Sequence, residues 1–137
     1  MFAIVYGTLK QGHSNNGILK NSKFVVGGVV RGFKLYYAGF PVAAPSEGDC
    51  IKVEVWDIGN PENDKTATET LQRLDWLEGY REDAPDGSMY LRKPVTVFTD
   101  DGGRVEGQMY VGNSRSWRDF KAMREMGKDE TGIYQWP

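Results

Sequence analysis

"YLRKPVTVFTDDGGRVEGQMYV", residues 90–111, decides how this chain is read. Its two halves, "YLRKPVTVFT" (90–99) and "RVEGQMYV" (104–111), are rich in the β-branched and aromatic residues that suit a pleated, half-buried surface. Between them "TDDGGR" supplies Asp-Gly and Gly-Gly, which accept positive φ and predict a hairpin. Four similar runs precede it: "FAIVY" (2–6), "FVVGGVV" (24–30), "FKLYYA" (33–38) and "CIKVEVWDI" (50–58), punctuated by Gly, Asn, Asp and Pro. Gly27, Gly28 and Gly107 lie inside strands and predict bulges or sharp bends that let a small sheet close. The expectation is an α+β fold: a small mixed, mostly antiparallel closed β-barrel flanked by a few helices.

Two segments break the period of two. "TATETLQRLDWLEGY" (66–80) predicts a helix, since Ala67, Thr70, Leu71, Leu74 and Leu77 recur at helical spacing and Gly79 stops it. "SWRDFKAMREMG" (116–127) predicts a second, with Trp117, Phe120, Met123 and Met126 along one stripe and Gly127 after it. Ser116 followed by Asp119 resembles a capping start. That stripe is most simply core packing against the barrel. Without repeats, low-complexity stretches or long linkers, residues 1–137 are expected to form a single domain, with 113–137 as a C-terminal helical extension.

The bulk chemistry excludes several classes. The 137 residues include 17 basic and 19 acidic ones, a net charge of −2, which is no footprint for nucleic acid or an anionic membrane. Apolar runs are far shorter than a membrane span. No basic region followed by an apolar stretch opens the chain, so no secretory signal is expected. A single cysteine points to a reducing, cytoplasmic setting. With only His13 and Cys50 available, a zinc site rich in His and Cys cannot be assembled. A Ser-His-Asp triad would have to use His13, which sits in the polar loop "QGHSNNG" and reads as a solvated residue. Cys50 lies opposite the face formed by Ile51, Val53 and Val55, has no adjoining cation, and reads as inert.

Glu78 does not fit its face. At about 100° per residue it lies within roughly 20° of Leu71 and 40° of Leu74, inside the apolar stripe of the 66–80 helix. An unpaired buried carboxylate is costly, so Glu78 is ion-paired, near a solvated helix end, or retained for chemistry. Arg81 and Arg92 are the candidate partners. Asp75 lies at the edge of the same face, one step nearer solvent. Were Glu78 buried among Tyr80 and Tyr90, desolvation would raise its pKa toward neutrality, as a general acid or base requires. A lone carboxylate base suits a reaction whose nucleophile arrives within the substrate.

The stretch "IVYGTLKQG" (4–12) raises the complementary question. Gly7 lets the chain turn after a strand, and the N–H groups that follow can converge on an anion, a substrate carboxylate or a developing oxyanion. "GTLKQG" lacks the spacing and the Gly-Lys-Ser/Thr ending of a phosphate loop.

Taken in order, "VYGTLKQGHSNNGIL", "AGFPVAAPSEGDCIKVEVWDI", "LDWLEGY", "MYLRKPVTV" and "GQMYV" resemble the gamma-glutamylcyclotransferase-like family over about residues 2–112, especially its AIG2-like and gamma-glutamylaminecyclotransferase branch. The resemblance implies a compact β-barrel with a cavity at its mouth. It also implies a cofactor-independent enzyme that binds a gamma-glutamyl small molecule and releases 5-oxoproline and an amine. It carries the catalytic glutamate onto Glu78 and the anion-gripping loop onto Tyr6, Gly7, Thr8 and Leu9, with Asn15 in the loop's polar slot. Tyr90 and Tyr110 match cavity aromatics, and Pro41 in "GFPV" matches a proline of the cavity wall. The chain departs from the family pattern at Asn16, often histidine, and in residues 113–137. Two other readings accompany this one: a non-catalytic module binding a small ligand or protein on the same barrel, and a related gamma-glutamyl transferase or deacylase.

Overall fold

The computed structural model describes residues 1–117, 120 and 123–137. Five strands close into a barrel: β1 (Phe2–Val5), β2 (Lys23–Tyr37), β3 (Pro41–Asp57), β4 (Tyr90–Thr99) and β5 (Arg104–Gly112). Around the barrel the order is β1, β3, β2, β4, β5 and back to β1. The contact of β1 with β5 is parallel and the other neighbours are antiparallel. This is the mixed, mostly antiparallel barrel expected, and its β4–β5 hairpin spans the strands read from the sequence. The turn closes on bonds from Thr99 N–H to Gly103 O and from Gly102 N–H to Thr99 O, with Gly102 at φ +89°.

Elsewhere the strands run longer than their local chemistry suggested. The runs 24–30 and 33–38 are one strand, because Gly32 (φ +86°) absorbs a register shift between Arg31 and Phe33 without ending the ladder. β3 begins at Pro41, not Cys50: "PVAAP" reads as a breaker, yet Pro41–Pro45 pair with Tyr37–Phe33 and Pro41–Ala44 are buried. Within β3, Ile51, Val53 and Val55 point into the barrel with Ile4, Val30, Val97 and Met109. Gly107 sits in unbroken register opposite Val95, so it marks no bulge. A Cβ there would lie 2.6 Å from Ile4 Cδ1, and one at Gly28 would lie 2.5 Å from Phe98 O. Both positions are small because a neighbouring strand or an inward side chain occupies the space.

The one α-helix among the described residues, α1 (Lys65–Leu77), starts at Asp64, whose carboxylate accepts the Thr66 and Ala67 N–H groups. It ends in a Schellman motif. Gly79 (φ +62°) donates to Trp76 O and Tyr80 N–H donates to Asp75 O, leaving Glu78 as the C-cap. Ala67, Thr70 and Leu74 are buried, and Leu74 packs in one cluster with Ala3 and Val5, the outward residues of β1.

The expected second helix, 116–127, falls partly on Arg118, Asp119, Lys121 and Ala122, which lie outside the described residues. Its described end is a strand: β6 (Arg124–Glu125) pairs with Tyr36 and Tyr37 and covers the outer edge of β2. Further on, Tyr134 bridges to Ile51 and Lys128. The described part of 113–137 is thus a strand-like strap, where a helical extension was expected. Its stripe still packs as core: Trp117, Phe120 and Met123 join the cluster outside the barrel and Met126 the cluster within.

Candidate active site

A cavity of about 460 Å³ opens where β1, the loop after it and the end of α1 meet. Every site residue expected from the sequence lines it: Tyr6, Gly7, Thr8, Leu9 and Asn15 on one wall, and Pro41, Glu78, Tyr90 and Tyr110 around the rest. Ile4, Val5, Gly39, Phe40, Leu77 and Met89 complete the lining and were not expected as site residues. "GFPV" placed Phe40 beside a wall proline, whereas Met89 carried no local signal. Residues from 4 to 110 converge here because the barrel brings the ends of β1, β4 and β5 together.

The loop after β1 is latched by its own backbone and by the side chains of Asn15 and Asn16. The Gly7 carbonyl accepts Lys10 N–H at 3.0 Å and the Thr8 carbonyl accepts Asn15 N–H at 2.9 Å. Asn15 Nδ2 donates to Thr8 Oγ1 at 2.9 Å, and Asn16 Nδ2 donates to Leu9 O at 2.8 Å. A trans peptide directs each N–H opposite to its carbonyl, so the Thr8 and Leu9 amides face away from these partners. Among the described residues, no turn or side-chain acceptor takes the N–H of Gly7, Thr8 or Leu9. Three consecutive free amides beside a cavity are a ready anion cradle. Gly7 serves it through close approach more than through turning: its φ is not positive, and a Cβ there would lie 2.3 Å from Pro41 Cγ. Buried Lys10 does not enter the cavity, because its Nζ donates to Trp136 O at 2.7 Å and ties the loop to the C-terminal strap.

Two tyrosine hydroxyls, those of Tyr6 and Tyr90, tie the cavity walls together. Tyr6 donates its hydroxyl to Tyr110 O at 2.7 Å and accepts Ala43 N–H at 3.3 Å, while Tyr90 donates to Pro41 O at 2.9 Å. These hydroxyls fasten β1, β4 and β5 to the start of β3. Burial pushes the Tyr6 and Tyr90 hydroxyls well above the ordinary phenol range, and the Glu78 charge adds to the effect on both. Phe40, Tyr90 and Trp117 form an aromatic cluster, and Trp117 Nε1 donates to Met89 O at 2.8 Å. The strap, which the family resemblance did not cover, thereby braces this wall.

Glu78 borders the cavity without an ion-pair partner among the described residues. Both candidate cations are engaged elsewhere. Arg81 pairs with Asp83 on the exposed surface, and Arg92 Nη1 reaches both Asp75 oxygens at 2.7 Å. Desolvation alone raises the Glu78 carboxyl from its ordinary 4.5 to about 7. Its place at the C-cap adds a physical oddity, since the negative end of a helix disfavours a carboxylate. The half-buried carboxylate thus titrates near neutral pH, in the cavity that residues 7–9 also line. No group of three or more His, Cys, Asp or Glu among the described residues is placed to hold a metal ion.

Comparison with known proteins agrees with this geometry. The family model described as "Gamma-glutamyl cyclotransferase, AIG2-like" matches residues 3–130. A Pyrococcus horikoshii protein named "Putative gamma-glutamylcyclotransferase PH0828" is 34% identical over 77 residues, 56% of this chain and 61% of that protein's length. Its crystal structure superposes with a TM-score of 0.58 at 27% identity, covering 83% of this chain and 79% of the other. A structure titled "Gamma-glutamyl cyclotransferase" shares the fold with a TM-score of 0.58 at 20% identity, over 81% of this chain and 65% of its own. With the family model spanning nearly its whole length, this chain belongs to the AIG2-like gamma-glutamyl cyclotransferase family.

Proposed function

We propose that this protein is a gamma-glutamyl cyclotransferase-type enzyme that converts a gamma-glutamyl amine or amino acid into 5-oxoproline and the free amine. One observation carries the reading: Glu78, without an ion-pair partner among the described residues, lines the same 460 Å³ cavity as residues 7–9, whose amides have no acceptor among those residues. Glu78 takes a proton from the substrate's α-ammonium group. The freed amine attacks its own γ-carbonyl carbon, a new C–N bond closes the five-membered ring, and the carbonyl oxygen becomes an oxyanion. The loop amides hold the oxyanion or the substrate carboxylate. Collapse breaks the bond to the leaving nitrogen, which receives the proton from Glu78. The second proton of the ring nitrogen then passes to Glu78 and out to water.

The raised pKa matters in magnitude. Every pH unit by which the carboxyl lies below the substrate's amine makes the proton transfer uphill by about 1.4 kcal/mol. Raising the carboxyl from 4.5 to about 7 therefore lessens that cost by about 3 kcal/mol. The attack itself is intramolecular, which supplies the effective concentration that a separate nucleophile would lack.

The test is 5-oxoproline release from a panel of gamma-glutamyl amino acids and amines, with Glu78→Gln run alongside. Release by the parent alone supports the proposal, and the preferred amine identifies the substrate. Equal release by both proteins removes Glu78 from the chemistry. Absence of release from either folded protein leaves a binding barrel.

A further inference from the structure

The helix end carries a second carboxylate whose arrangement the reaction above does not use. Asp75 and Glu78 are three residues apart on one helix surface, close enough for one long side chain to reach either. Arg92 is placed to do so. It lies two residues after Tyr90 on β4, hence on the same face of the strand, and directly across the ladder from Tyr110. Both of those tyrosines line the cavity. Yet Arg92 is fully committed to Asp75, with Nη1 at 2.7 Å from each carboxylate oxygen. The pair is shielded, at 13% side-chain exposure for Arg92 and 19% for Asp75. Tyr110 donates its hydroxyl to the same Asp75 oxygen, and the guanidinium lies 5.1 Å from the Tyr80 ring centroid.

We propose that Asp75 is a positioning residue for Glu78: it holds the Arg92 guanidinium away from the cavity carboxylate, so that Glu78 stays free of a permanent counter-ion. Among the described residues, the titratable and charged groups around Glu78 are Tyr6 after β1, Tyr90 and Arg92 on β4, Tyr110 on β5, and Asp75 and Tyr80 on its own helix and turn. Of these described groups, only Arg92 is a cation, and the loop after β1 lines the cavity with the uncharged Thr8 and Asn15. A guanidinium released from Asp75 would find Glu78 one helical step away. There it would lower the carboxyl's proton affinity and convert an acid–base group into one half of an ion pair.

This inference rests on Glu78 being the acid–base group proposed above, but its primary readout does not require activity. The Glu78 carboxyl is titrated by NMR in 13C-glutamate-labelled protein, its signal assigned by its loss in Glu78→Gln. Asp75→Asn is expected to move the midpoint down by about 1–3 pH units, and Asp75→Asn/Arg92→Met to return it to within about half a unit of the parent. An unmoved midpoint in folded Asp75→Asn overturns the proposal, as does a lowered midpoint that the second substitution fails to restore. Where Asp75→Asn alone does not fold, the charge-balanced double variant carries the test. A midpoint near the parent's means that Arg92 is held off Glu78 in the intact protein. A rise of about one unit or more means that Arg92 already acts on Glu78, and the proposal fails. In the activity assay, the acidic limb of kcat/KM should follow the NMR midpoint through the same variants. Midpoints that move as expected in a protein releasing no 5-oxoproline would uphold the electrostatics and discard the reaction.

Discussion

Asp75 and Glu78 occupy one end of one helix, and their electrical settings are opposite. Asp75 is held by a two-point contact with Arg92 and by the Tyr110 hydroxyl. Glu78 meets the cavity with no ion-pair partner among the described residues, and desolvation holds its proton to about pH 7. The same functional group is therefore ion-paired at one position and, among the described residues, without a cation three residues later. The difference lies less in the helix, which supplies both, than in the strand that delivers Arg92 to one of them.

Replacing each acid should break this contrast in a different way. Glu78→Gln keeps the shape and removes the proton shuttle, so kcat/KM for 5-oxoproline release should fall by about 10²–10⁴-fold with unchanged circular dichroism. Asp75→Asn should lower it by about tenfold or less at neutral pH, through a weaker base.

Stability should respond with opposite sign. The folded protein binds the Glu78 proton more tightly than the unfolded chain does, because its carboxyl rises from 4.5 to about 7. The stabilisation this brings is complete below about pH 4.5 and is lost as pH rises through about 7. Glu78→Gln, which cannot ionise, should gain on the parent between pH 5 and 8 by up to about 3 kcal/mol in denaturant unfolding. Asp75→Asn should instead lose about 2–3 kcal/mol near neutral pH, since it leaves a shielded guanidinium uncompensated. Equal effects from the two variants would show that the two sites are not electrically distinct.

The activity profile sharpens the same point. In the parent, kcat/KM should rise with pH along an acidic limb centred near 7, as Glu78 gives up its proton. A limb near the ordinary glutamate value would place the acid–base group elsewhere. The smallest effect is expected from Tyr110→Phe, which keeps the ring on the cavity wall and removes only the hydroxyl on Asp75. Thermal unfolding should report a loss of about 1 kcal/mol, and activity should change by no more than about threefold.

Much of this molecule is legible locally. The β4–β5 hairpin could be read because its strand residues and its Asp-Gly-Gly turn are contiguous. The end of α1 could be read because Gly79 follows the last periodic residues, and the misfit of Glu78 follows from helical angles alone. The residues lining the cavity could be named because the motifs around Gly7 and Glu78 carry the family resemblance, which also supplied Asn15, Pro41, Tyr90 and Tyr110. Other features resist local reading. Pro41–Ala44 carry the chemistry of a loop, and β2 alone, paired along their length, makes them a strand. Gly7 reads as a turn residue, whereas its small size answers to Pro41 on a distant strand. Residues 124–125 sit in a helical pattern, and the open edge of β2 draws them into a ladder.

The sequence by itself determined the strands with clean alternation, the helix and its stop, and the presence of an acid on an apolar face, because periodicity and turn chemistry are settled by neighbours in the chain. Only the tertiary structure decided which acid Arg92 takes, that the amides of residues 7–9 stay free, and that Glu78 keeps its proton near neutrality. Those outcomes depend on desolvation and on charges brought together from β1, α1, β4 and β5, and no local stretch of sequence encodes distances between them.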